Sequence, residues 1–159
     1  MEGYMLSVGY PVGVNAKDKT YILETAEGLV NLQDTQTLVW VGLTTVQHKE
    51  LSGEVEKIAK HLVNKRVLYV GNTVEELFHN IQNVILHRQG CFGIDDGKYV
   101  VFVGKEICPL TMEQSIIWKY ADGINTIKDI SEFTEAASDI PKFMENLNAL
   151  FLASAIFGK

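Results

Sequence analysis

The sequence predicts an α+β protein in which one small unit, an antiparallel hairpin or sheet followed by three helices, is built twice. Two observations carry this. First, Tyr21 to Trp40 (YILETAEGLVNLQDTQTLVW) and Tyr99 to Trp118 (YVVFVGKEICPLTMEQSIIW) align without a gap at an offset of 78. The alignment sets Asp18 over Asp96, Tyr21 over Tyr99, Leu32 over Leu110, Gln36 over Gln114 and Trp40 over Trp118, with Leu38 over Ile116 and Val39 over Ile117. Second, runs of β-forming residues precede helix-periodic runs in both halves. The expected units are residues 1–90 and 91–159 of the 159.

The elements follow in order. Residues 4–14 (YMLSVGYPVGV) mix aromatic and β-branched residues around Gly9, Pro11 and Gly13 and read as one irregular strand. Asn15 to Asp18 is a polar turn. Thr20 to Thr25 and Leu29 to Leu32 form a hairpin about Glu27-Gly28, and a helix capped by Asp34 or a neighbouring Thr runs to about Leu43. Glu50 to Arg66 is an amphipathic helix, and Val67 to Val70 a short strand. Thr73 and Glu76 then form a capping box for a helix that carries Leu77, Phe78, Ile81, Val84 and Ile85 to about Arg88.

The second unit opens on CFGIDD. Asp96-Gly97 is a hairpin signal before a strand at Tyr99 to Val103; Gly104-Lys105 turns into Glu106 to Pro109. Thr111 and Gln114 make a capping box, Asp122-Gly123 ends that helix, Thr126 caps another from Ile127 to about Thr134, and Ser138-Asp139 caps the last. Ala155 to Phe157 either extends that helix or returns as a short wing strand. The first unit carries about a dozen extra residues around Val67 to Asn72. Core positions are expected at Tyr21, Leu32, Leu38, Trp40, Tyr99, Leu110, Ile117 and Trp118.

The net charge is −6. Residues 1–90 hold 8 basic and 10 acidic residues and the rest 6 and 10, so neither half has the basic excess of a nucleic-acid binder. Lys57, Lys60, His61, Lys65 and Arg66 give one helix a basic end, read as a solvated face whose cations favour the helix C-terminus. The stretch IKDISEFTEA is acidic on balance. Cys91 and Cys108 have no CxxC spacing and read as free thiols. With no signal-peptide pattern and no membrane-length apolar run, the expectation is a cytoplasmic protein without membrane contact. Four histidines lie without HExxH or CxxC company, so no metal site is expected. No nucleophile elbow and no phosphate-binding glycine loop is present, which predicts a protein that is not an enzyme and needs no cofactor.

The order strand, strand, helix, helix, helix is that of a winged helix-turn-helix with its strands placed first. Asp96-Gly97-Lys98-Tyr99-Val100-Val101, Leu110-Thr111, Ile117-Trp118, Asp122-Gly123-Ile124-Asn125-Thr126-Ile127 and Ile130 resemble the PqqD family, the RiPP precursor recognition elements. The resemblance covers residues 95 to about 157; the first unit joins it only through the internal repeat, with TTVQHKEL where the Asp-Gly turn would stand. What the resemblance implies is two tandem winged-helix-like units acting as a non-catalytic adaptor. Such a domain captures the leader segment of a precursor peptide as an added strand and delivers it to a peptide-modifying enzyme. On this chain the peptide-binding residues would be Lys105, Glu106, Ile107 and Cys108 on the strand entering the Leu110 to Trp118 helix, with Lys119 and Lys128 meeting acidic residues of the leader. The rival expectations are a winged-helix DNA-binding regulator and an assembly subunit.

Overall fold

The computed structural model describes residues 1–134 and 138–159, and its contacts divide the chain between Ile81 and Gln82. One unit is Met1–Ile81 with Gly158–Lys159, the other Gln82–Phe157. The sequence reading put the division at Gly90; the residues between belong by pairing to the second unit. Glu135 and Ala136, the end of the acidic IKDISEFTEA stretch, lie outside the described residues. Among the described residues the fold is α+β, with six helices and four three-stranded sheets.

In the first unit β1 (Glu2–Ser7) leads into a meander of β2 (Tyr10–Asn15), β3 (Thr20–Thr25) and β4 (Gly28–Leu32). There follow α1 (Asp34–Val41), β5 (Gln47–Glu50), α2 (Gly53–Asn64), β6 (Leu68–Gly71) and α3 (Val74–Ile81). β1 returns to use as the centre of a second sheet, in the order β5-β1-β6. Met5, Leu23, Leu32, Trp40, Leu62 and Leu68 are among the side chains that fill the core between the two sheets and α2.

The second unit repeats this plan. β7 (Ile85–Arg88) precedes the meander β8 (Cys91–Asp95), β9 (Lys98–Val103) and β10 (Glu106–Pro109). Then come α4 (Met112–Tyr120), β11 (Asp122–Thr126), α5 (Ile127–Glu132), α6 (Ile140–Leu152) and β12 (Ile156–Gly158), and β7 is central in the order β11-β7-β12. Asp96 (φ 47°) and Gly97 (φ 75°) supply the two positive φ angles of a type I′ turn, which fits the strand twist.

Hydrogen bonds establish the equivalence. The Trp40 indole donates to the Val8 carbonyl at 2.8 Å and the Trp118 indole to the Gln89 carbonyl at 3.0 Å, in each case the first residue after the unit's opening strand. Both tryptophans are 7% exposed. The Ser7 amide donates to Leu43 and the Arg88 amide to Ala121; the Val8 amide donates to Val67 and the Gln89 amide to Ala155. Gln36 and Gln114 are in register because each closes a capping box, accepting from the Gln33 and Thr111 amides at 3.2 and 3.0 Å. The first helix is therefore capped from Gln33, one residue before the expected Asp34.

These equivalences relocate the insertion. The offset grows from 78 at Trp40/Trp118 to 88 at Val67/Ala155, where Arg66 (φ 55°) and Ser154 (φ 52°) each end a helix in the left-handed region. Thus α6, not α5, matches α2, and the extra ten residues are in the second unit as α5, not in the first around Val67 to Asn72. Other expectations also give way. Residues 4–14 form two strands broken at Val8-Gly9. The Thr73-capped helix stops at Ile81, and Ile85–Arg88 is strand β7. Tyr21, Leu38 and Tyr99 are exposed (40%, 74% and 38%), while Leu32, Trp40, Ile117 and Trp118 are buried. Leu38 lies two positions, about 200°, round α1 from buried Trp40, so the two cannot both face inward.

Candidate peptide-binding surface

The surface is built on the second meander, ordered β10-β9-β8 with β9 central. The Leu110 amide donates to the Tyr99 carbonyl at 2.8 Å, so Tyr99 points its backbone groups at the β10 side. Alternation along β9 then sends Val101 and Val103 to β10 and Lys98, Val100 and Phe102 to β8. On β10, Glu106 and Cys108 face inward, and Ile107 and Pro109 direct their backbone groups to the open edge. On β8, Cys91, Gly93 and Asp95 face inward, and Phe92 and Ile94 face the open edge. Proline has no amide hydrogen, so the β10 edge offers one outward N–H, from Ile107, and the β8 edge offers two.

Helix α4 lies between two grooves. One, of about 510 Å³, is lined by Phe92, Tyr99, Met112, Ser115, Ile116, Trp118 and Lys119. Phe92 stacks on Trp118 with ring centroids 5.8 Å apart and lies 5.5 Å from Tyr99. The Arg88 guanidinium lies over the Trp118 ring at 5.2 Å and donates to the Lys119 carbonyl at 2.8 Å. The other groove, of about 590 Å³, runs between α4 and α6 past Glu113, Lys142, Glu145 and Asn146. Its cation is neutralised, since Lys142 pairs with Glu113 at 3.0 Å.

The six expected binding residues divide among three places. Lys105 to Cys108 are contiguous at the β10 edge, where Ile107 is 51% exposed and the Cys108 thiol contacts the Ala153 carbonyl at 3.9 Å. Lys119 lies on the opposite flank, in the Phe92/Tyr99 groove, with its ammonium 5.6 Å from the Tyr120 ring. Lys128 is exposed at the start of α5 and lines neither groove. Phe92, Ile94, Met112 and Arg88 were missed; alternation of Phe92 and Ile94 about Gly93 was the available signal.

The turn behind α4 is held by charge. Asp122 is partly desolvated, which raises its pKa, but the Ile124 and Asn125 amides and the Asn125 side chain outweigh this and hold the carboxyl below its usual range. Asp129 is lowered by the Thr126 hydroxyl first and the Thr126 amide second, in the capping box that starts α5. The basic end of α2 is largely engaged locally: Lys57 pairs with Glu54, Lys60 with Glu56 and Arg66 with Glu27, and Lys65 donates to the Asn31 carbonyl.

Among the described residues no cluster of three or more His, Cys, Asp or Glu could hold a metal ion, and no helix is long and apolar enough to cross a membrane. Comparison with family models, curated proteins and solved structures gives no match.

Proposed function

We propose that this protein is a non-catalytic adaptor that captures a peptide segment by strand addition and presents it to a peptide-modifying partner, in the manner of the precursor recognition elements that residues 95–157 resemble. The second unit is read as a winged-helix-like domain: a meander, three helices of which α5 follows directly on β11, and β12 as the returning wing. The observation that carries the reading is the open β10 edge. Its outward Ile107 amide and carbonyl are positioned to pair with an extended chain, and Lys105 in the preceding turn is exposed to meet acidic side chains. Pairing would end at Pro109, which has no hydrogen to donate.

The test uses the full chain to select binders from a phage-displayed dodecapeptide library, followed by affinity measurement on the best synthetic sequence. Ile107→Pro deletes an outward amide and no ladder bond, so the variant is expected to fold and to lose binding. Retained binding by a folded Ile107→Pro protein contradicts capture at β10.

A further inference from the structure

The opposite edge of the same sheet carries a feature the β10 reading does not use. Phe92 and Ile94 on β8 present complete backbone donor and acceptor pairs to the open side, with no proline or further neighbouring strand on that edge among the described residues. Natural proteins blunt exposed strand edges with prolines and charges; β10 has its proline, whereas the only charge on β8 is Asp95 at its turn end, with its backbone directed to β9. Phe92 and Ile94 are 47% and 69% exposed on the face shared with Tyr99, and Met112 on α4 is 62% exposed across the groove. A groove of about 510 Å³ with mostly apolar and aromatic walls is of the size that takes a ligand.

Charge identifies the occupant. Among the described residues neither Arg88 nor Lys119 has a carboxylate partner, and no carboxylate lines the groove, in a chain of net charge −6. The repeat supplies a control. The first unit has the same plan and exposed Val12 and Val14 on β2, but Val41 stands where Lys119 does and Ser7 where Arg88 does. The cations are thus not demanded by the fold, and they sit together at the end of the groove where β8 begins.

We propose that the groove between β8 and α4 is a docking surface for an extended apolar peptide segment with an acidic end, added antiparallel to β8. The segment's apolar side chains lie against Phe92, Ile94 and Met112, and its carboxylates, at its C-terminal end, meet Arg88 and Lys119. Antiparallel addition continues the pairing of the existing sheet, and charge-assisted contacts to the carboxylates fix direction. The surface is separate from the β10 edge, and either can fail without the other.

The probe is a synthetic fluorescent decapeptide alternating threonine with leucine or phenylalanine and ending in two glutamates. Its counterpart ends in two glutamines. Binding to the full chain is read by anisotropy and by amide chemical shifts. The glutamate peptide is expected to bind with shifts centred on Phe92, Ile94 and α4, and the glutamine peptide about tenfold more weakly. Lys119→Glu should weaken binding by at least about tenfold. Ile94→Pro should abolish it, whereas Ile94→Ala, which keeps the amide, should weaken it less; cooperative urea unfolding confirms that each variant is folded. Ile107→Pro should leave this binding unchanged. The proposal is overturned by no binding at millimolar peptide, by equal binding of the two peptides, or by binding retained in folded Ile94→Pro. It is also overturned by loss in Ile107→Pro with shifts at β10, which favours the other edge, or by self-association through Phe92 and Ile94 without peptide, which assigns the edge to a second copy.

Discussion

Replacing Trp118 by phenylalanine isolates the bond on which the repeat turns. The indole N–H donates to the Gln89 carbonyl at 3.0 Å, its ring stacks on Phe92, and Arg88 lies over it at 5.2 Å. Phenylalanine keeps one aromatic ring but cannot donate. The lost hydrogen bond costs about 0.5–1.5 kcal/mol. The missing second ring leaves a void at a site only 7% exposed, roughly 1–2 kcal/mol more. The sum is about 1.5–3.5 kcal/mol, against about 3–5 kcal/mol for Trp118→Ala. Because Trp40 makes the matching bond to Val8 at equal burial, Trp40→Phe should destabilise its own unit by a similar amount. Urea titrations of the three variants, followed by near-ultraviolet circular dichroism and by amide signals from each unit, give the values. A loss under about 0.5 kcal/mol for Trp118→Phe would refute the view that the indole ties the opening strand to the helix.

Further outcomes follow from the same structure. Leu32→Ala, at a fully buried position between meander and helix, should cost about 2–5 kcal/mol in urea unfolding, whereas Leu38→Ala, 74% exposed, should cost little. Asp122, Asp129 and Glu56 have folded pKa values below their ordinary ones. Their contribution is therefore fully present above the unfolded pKa near 4 and is lost as pH falls through the lowered folded values, so thermal midpoints should drop in that window. Asp129→Asn should flatten the slope. With its α2 cations largely engaged and a net charge of −6, the protein should not shift duplex DNA at sub-micromolar concentration and physiological salt; a shift lost steeply with added salt would favour a DNA-binding regulator.

The sequence was most readable where a few adjacent residues determine the backbone. Asp96-Gly97, the Thr111/Gln114 capping box, the Thr126 cap and the Thr20 to Leu32 hairpin all rest on local chemistry, and the structure has each. The second sheet of each unit was only partly readable: β6 and β12 carried short apolar runs, but β5 and β7 did not show. β5 is Gln-His-Lys-Glu, which carries no apolar alternation, and it is a strand only because β1, more than forty positions away, pairs with it. β7 hid for the opposite reason: Val84 and Ile85 continue the helical spacing of Leu77, Phe78 and Ile81, and periodicity alone does not separate the two over so short a run. Helix α5 was read in the right unit, but the insertion was assigned to the first unit because the repeat is gapless only as far as the tryptophans. At the candidate surface, residue types at β10 were legible, but which amides face outward depends on pairing register, and only that register brings the β8 edge into view.

The central claim is that an extended peptide is captured by backbone pairing at an open edge of the second meander. Amide hydrogen exchange, measured residue by residue on the full chain with and without a saturating library-selected peptide, tests it directly. The account predicts new protection at an outward amide, Ile107 on β10 or Phe92 and Ile94 on β8, while the inward amides of Cys108 and Gly93, already paired with β9, change little. A bound peptide that leaves all three outward amides exchanging as in the free protein would contradict it.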